Sequence, residues 1–133
     1  MKYFDYNVRV RYAETDKMGV VYHGNYAQYF EIGRVEWLRN LGISYRKMEE
    51  LGVMLPVVSL TMNYKKSAFY DDEITIRTIF KKMSSVKIEF DYELYNKNGD
   101  LLTTANSILV FVNMETGRPI AAPQYVIEKI ESI

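Results

Sequence analysis

The sequence predicts an α+β fold in which a five-stranded, mainly antiparallel sheet wraps around one long central helix. An alternating strand near the start passes through a glycine-containing loop into a segment with a helical apolar stripe. Four further strand-like segments follow with short connections, which favours antiparallel neighbours, and an apolar helix stripe needs a sheet face to cover it. At 133 residues the chain has room for one core, so residues 1–133 are assigned to a single domain.

From Phe4, apolar residues take every second position, at Phe4, Tyr6, Val8, Val10 and Tyr12, with Asp5, Asn7, Arg9 and Arg11 between them. That is the pattern of a strand with one buried face. The loop over residues 13–24 contains Gly19 and Gly24. After Gly24 the spacing lengthens to the helical period, placing Tyr26, Tyr29, Phe30, Gly33, Trp37 and Leu41 on one stripe and Gln28, Glu31, Arg39 and Asn40 opposite. Asn25 is expected to cap the start, and Gly42 to end the helix in a left-handed conformation. Gly33 costs up to about 1 kcal/mol of helix propensity relative to alanine, which predicts close approach of another backbone. Each large side chain on the stripe contributes about 1.5–3 kcal/mol when buried, so packing outweighs propensity here.

Ser44 is placed to cap a short second helix over residues 45–51, ended by Gly52. A strand over residues 57–65 alternates Val58, Leu60, Met62 and Tyr64 with Val57, Ser59, Thr61, Asn63 and Lys65. Asp71-Asp72 marks a turn before a strand at 74–82. The clearest alternation runs over 86–95, where Val86, Ile88, Phe90, Tyr92 and Leu94 oppose Lys87, Glu89, Asp91 and Glu93. Asn98-Gly99 signals a hairpin into a return strand at 101–112. A turn at 115–119 and a short helix at 125–133 complete the chain.

Composition excludes several function classes. Lys plus Arg equals Asp plus Glu at 17 each, against the charge excess of a protein that tracks nucleic-acid phosphates. With no cysteine there is no disulfide framework, thiolate nucleophile or cysteine zinc site, and one histidine cannot build a multi-histidine cage within a chain. No metal and no cofactor is expected. The N-terminal alternation is not a signal peptide, and no apolar run of about 18 residues suggests membrane insertion, which leaves a cytoplasmic location as the default.

The run D-K-M-G-V-V-Y-H-G-N-Y-A-Q-Y-F-E-I-G-R at residues 16–34, with this order of elements, resembles the hotdog-fold thioesterases. Within them it is most similar to the 4-hydroxybenzoyl-CoA thioesterase family and its YbgC/FadM-type branch. A second stretch, Y-K-K-S-A-F-Y-D-D at residues 64–72, is similar to the segment linking that family's second and third strands, with Ser67 where proline is common. The resemblance implies hydrolysis of acyl-CoA, with Asp16 attacking the thioester or activating water. It further implies that His23 stands at the loop-to-helix junction, where backbone N–H groups hold the carbonyl oxygen. A homodimer with a sheet continuous across both subunits, sometimes paired into a homotetramer, is implied as well.

The residue types fit that chemistry. Asp16 can serve as nucleophile or general base, although aspartate before a glycine-containing turn also forms a plain Asx turn. The unpaired N–H groups of a helix start favour an anion. His23 can protonate the departing thiolate, orient Asp16, bind water, or act only as a structural hydrogen-bonding residue. Glu14 is the rival carboxylate, or a solvated partner of Arg9 or Arg11. Glu31 and Arg34 are spaced for an intrahelical ion pair.

Tyr22, Gly24, Asn25 and Tyr26 at the junction, with Val58, Ser59 and Leu60 on the following strand, are the candidate substrate-binding residues. Lys65, Lys66, Lys81 and Lys82 are candidates for CoA phosphates. Acyl carrier protein is an alternative donor, and a non-catalytic acyl-thioester-binding protein is the rival class. The presence of both Asp16 and His23 stands against that rival, since packing requires neither.

Overall fold

In the computed structural model, which describes residues 2–133, β1 (Tyr3–Arg9) leads to α1 (Tyr26–Asn40) and α2 (Tyr45–Glu50). Then follow β2 (Val53–Met54), β3 (Val57–Tyr64), β4 (Glu73–Met83), β5 (Lys87–Tyr95), β6 (Leu101–Val110), β7 (Val112–Asn113) and α3 (Gln124–Glu131). The main sheet has the order β1-β4-β5-β6-β3 with every neighbouring pair antiparallel. The expected five strands around one helix are therefore present. None of the helices is long and apolar enough to cross a membrane.

The inner face of the sheet reads directly from the alternation. Ile88, Phe90, Tyr92 and Leu94 of β5 are buried, as are Ile74, Ile76 and Thr78 of β4. They pack around α1, whose Tyr26, Tyr29, Phe30, Trp37 and Leu38 are buried in the same core. Trp37 stacks on Phe80 at 5.7 Å between centroids and meets Phe90 edge-on at 5.0 Å. Leu41, expected on the stripe, lies just past the helix and is only partly covered, so Leu38 fills that place.

At Gly33 the close approach is made by side chains of β4 rather than by backbone. A Cβ there would lie 2.5 Å from Ile76 Cγ2 and 2.6 Å from Thr78 Oγ1. Gly42 ends α1 as expected, at φ +85°, with its N–H donating to Arg39 O and that of Ile43 to Leu38 O, both at 2.9 Å. Ser44 caps α2 by accepting from Lys47 N at 3.3 Å.

Several expectations need correction. The first strand ends at Arg9, because the Val10 N–H donates to Asp72 O and its carbonyl accepts from Asp71 N, which takes its backbone out of the ladder. Tyr12 then falls in a short 3₁₀ turn and is 78% exposed. Asn25 does not cap α1; its side-chain amide donates to Glu14 O at 2.9 Å instead. Arg34 makes no ion pair with Glu31. It is buried, donating from Nε to the Tyr45 hydroxyl at 3.0 Å and from Nη1 to that of Tyr92 at 3.2 Å. Burial opposes its charge, but the two hydroxyls outweigh that and raise its pKa. The return strand breaks at Phe111, beyond which β7 pairs with β2 in a separate ribbon that the alternation does not foreshadow.

Replacing Gly33 by alanine sets up to about 1 kcal/mol of helix propensity against an overpacking cost of about 1–3 kcal/mol. Both facing atoms belong to β-branched side chains close to the strand backbone, which yield little, so overpacking wins. Gly33→Ala is expected to lower unfolding free energy by about 1–2 kcal/mol in urea titration, and a more stable variant would contradict the packing described.

Candidate active site

Residues 15–21 form a tight hairpin. Thr15 and Val21 bridge its limbs, Asp16 N donates to Val20 O at 2.8 Å, and Gly19 N returns to Asp16 O at 3.1 Å with Gly19 at φ +80°. Only a residue tolerating positive φ makes that return without strain. The hairpin docks on residues 68–70 through Val21 N to Ala68 O at 2.9 Å and Tyr70 N to Gly19 O at 3.3 Å. Asp16 is exposed, and its Oδ1 accepts from Met18 N at 2.8 Å. The Asx turn is thus real, and it orients the carboxylate while using only one of its oxygens.

The return limb runs into a 3₁₀ turn, His23–Asn25, that continues into α1. Asn25 N bonds to Tyr22 O at 2.8 Å and Tyr26 N to His23 O, so the N–H groups of His23 and Gly24 are the orphan donors of this helix start. The exposed His23 ring lies against Tyr22 at 4.4 Å between centroids. Its carbonyl accepts from the Tyr64 hydroxyl at 3.0 Å. A Cβ at Gly24 would come within 2.7 Å of the ring of Tyr22, an exposed side chain that would have to turn aside. Tyr26 is buried, and its hydroxyl accepts from Ala68 N at 3.3 Å.

His23, Tyr26, Tyr64, Lys65, Lys66 and Ser67 surround a cleft of about 180 Å³ floored by Val21. A second cavity of about 320 Å³ lies beside Phe30, Leu55, Pro56, Val57 and Leu60, with Arg34 and Glu31 at its polar side. Of the predicted strand residues, Leu60 lines this second cavity, Val58 is exposed at the sheet edge, and Ser59 is half-buried. The lysines divide: Lys65 and Lys66 border the His23 cleft, whereas Lys81 and Lys82 both reach Glu89 on the outer face of the sheet, at 3.4 and 3.9 Å. A larger polar cleft of about 410 Å³ beside Arg9 and Asp71 contains none of the predicted residues. Among the described residues no three His, Asp or Glu side chains gather as a metal set.

Sequence reasoning passes over one residue of this site, Tyr64, and misjudges the surroundings of another, Glu14. Tyr64 reads only as one member of an alternating strand, and no local signal shows that its hydroxyl reaches the helix start. Glu14 does pair with Arg11, one of its two expected partners, but it is buried rather than solvated, at 7% exposed. Its Oε1 accepts from Arg11 N at 2.8 Å and from the Tyr29 hydroxyl at 2.7 Å, and its Oε2 from Arg11 Nε at 3.1 Å. Burial pushes its pKa up, but these hydrogen bonds and the Arg11 charge outweigh burial and hold it below the ordinary value.

A depressed folded-state pKa means that Glu14 stabilises the fold fully above the ordinary carboxylate value of about 4.5, and that this contribution disappears as pH falls through the folded value. Glu14→Gln is therefore expected to cost about 1.5–3 kcal/mol near neutral pH. Chemical denaturation of both proteins should show the difference shrinking as the solution is made acid, and a pH-independent gap would contradict the assignment.

The thioesterase-like superfamily model matches residues 10–130. A crystal structure of DHNA-CoA thioesterase from Staphylococcus aureus is 39% identical and superposes with a TM-score of 0.92, covering 99% of this chain and 93% of that one. The Bacillus subtilis protein YneP is 39% identical over 85% of this chain and 82% of its own length. The acyl-CoA thioesterase YbgC of Haemophilus influenzae is 32% identical over 92% of this chain and 90% of its own. With the family model spanning nearly the whole chain and the fold matching throughout, the chain belongs to the thioesterase-like superfamily.

Proposed function

We propose that this chain hydrolyses acyl-CoA thioesters, with Asp16 as nucleophile or general base and the N–H groups of His23 and Gly24 as the oxyanion site. One observation carries the reading: an exposed carboxylate, oriented by its own Asx turn, sits on a hairpin that leads directly into a helix start with unpaired N–H donors. In the general-base form Asp16 takes a proton from water as the water oxygen bonds to the thioester carbon, and the carbonyl oxygen becomes an oxyanion held by the two N–H groups. Collapse breaks the C–S bond, releasing the carboxylic acid and CoA, and His23, which lines the cleft, is assigned the protonation of the departing sulfur. In the nucleophilic form Asp16 bonds to the carbon, the tetrahedral intermediate expels the CoA thiolate to leave a mixed anhydride, and water cleaves that anhydride to the free acid and regenerated Asp16. That Lys65 and Lys66 border the cleft supports assigning them to CoA phosphates.

β3 is an edge strand with Val57, Val58, Leu60 and Tyr64 exposed along it. An uncovered apolar edge of this kind pairs readily with another strand, which supports a homodimer joined β3 to β3. Such pairing would bring Val58, Ser59 and Leu60 of one copy toward the junction of the other. The 320 Å³ cavity, apolar with Arg34 and Glu31 at one side, suits an aromatic acyl group carrying polar substituents.

Thiol release from a panel of straight-chain acyl-CoAs and 1,4-dihydroxy-2-naphthoyl-CoA tests the reading. Asp16→Asn should lower kcat by about 100-fold or more, and unchanged turnover would remove Asp16 from the chemistry. His23→Ala should cost no more than about tenfold, because the backbone N–H remains. An acyl-carrier substrate turned over in preference to its matched acyl-CoA would move the assignment to carrier-protein thioesters. By light scattering, Val58→Glu should run near the 15.6 kDa chain mass, since it sets like charges across the seam; an unaltered oligomer would place the interface elsewhere.

A further inference from the structure

Two carboxylates stand two residues apart in this loop, and they are built differently. Asp16 is exposed and uses one oxygen in its turn. Glu14 is buried, with both carboxylate oxygens accepting hydrogen bonds, three in all. Its main-chain carbonyl is also doubly used, accepting from Tyr22 N at 3.0 Å and from the Asn25 side chain at 2.9 Å. One residue thus ties the segment just after β1, through Arg11, to the return limb of the hairpin, through Tyr22. It ties the 3₁₀ turn, through Asn25, to the first turn of α1, through Tyr29. Tyr29 meets Tyr26 edge-on at 6.0 Å, and Tyr26 in turn receives Ala68 N, whose own carbonyl accepts from Val21.

We propose that Glu14 is the positioning residue of this site, its buried side chain and its carbonyl together fixing the hairpin that carries Asp16 relative to the N–H donors at the start of α1. The inference rests on the reading of Asp16 and the helix start given above. Glu14 touches neither substrate nor reacting atoms; it acts through the distance between two groups that do. Displacing a catalytic group by about 1 Å costs on the order of 100-fold in rate, whereas a binding rim made by Lys65 and Lys66 on a different segment is unaffected. A positioning role therefore predicts loss in kcat without loss of binding.

The test compares wild type, Asp16→Asn, Glu14→Gln and Tyr29→Phe for kcat and KM on the best acyl-CoA of the panel, with CoA affinity by calorimetry and folded fraction by circular dichroism. Glu14→Gln leaves the carbonyl in place and removes the charge that Arg11 and Tyr29 share. It is expected to lower kcat about 10- to 100-fold while KM and CoA affinity stay within about threefold. Tyr29→Phe removes one of the three side-chain bonds and should lower kcat by a smaller factor in the same direction. Wild-type kcat in a folded Glu14→Gln would overturn the proposal, as would parallel losses of kcat and CoA affinity. Should Glu14→Gln not fold, wild-type kcat in Tyr29→Phe overturns it. Absence of thioester turnover by wild type, or full turnover by Asp16→Asn, overturns the functional reading itself, a result separate from the Glu14 comparison.

Discussion

The seat of α1 against β4 at Gly33 sets the geometry on which the rest depends. A missing side chain lets the helix lie within contact of Ile76 and Thr78, so its depth and its rotation about its own axis are both determined there. With the helix seated, Phe30 and Trp37 fall into the layer formed by Phe80, Phe90 and Tyr92. The helix start then emerges at one end of the sheet, beside Tyr64 and Ala68. The propensity lost at one glycine is small beside the apolar burial that the close approach permits.

Two charges are buried near this helix, and each is hydrogen-bonded in its own way. Glu14 has a formal counter-charge in Arg11 and a hydroxyl from Tyr29. Arg34 has no carboxylate; it rests on the hydroxyls of Tyr45 and Tyr92, the latter sharing a 2.6 Å hydrogen bond with Ser107. A buried polar group without partners costs far more than a satisfied one contributes. Both networks therefore act as registers, holding α1 to the loop before it, to α2 and to the sheet. The first of them ties the hairpin bearing Asp16 to the start of α1 through Tyr22, Asn25 and Tyr29.

Much of this was legible in local pattern. The alternation over residues 86–95, the helical stripe from Tyr26 to Trp37, the Ser44 cap and the left-handed Gly42 each follow from short-range sterics and hydrogen bonding, and each is found. Errors cluster where partners are distant in sequence. Asn25 is a capping residue by type, but Glu14 O competes for its amide across the loop. Arg34 has Glu31 one turn away but donates instead to two tyrosine hydroxyls inside the core. The first strand would continue through Tyr12 were Asp71 and Asp72 not taking the backbone of Val10.

By itself the sequence determined the fold class, the place of the long helix, and the glycine-containing loop that leads into it with Asp16 and His23 along its length, because periodicity and motif spacing are properties of neighbouring residues. Tertiary structure alone decided that Glu14 is buried and triply hydrogen-bonded, that Tyr64 reaches the helix start from an edge strand, and that the four lysines divide between two faces. Those outcomes turn on which segments the sheet brings together and on what each buried polar group must find once water is removed. No local pattern carries that information.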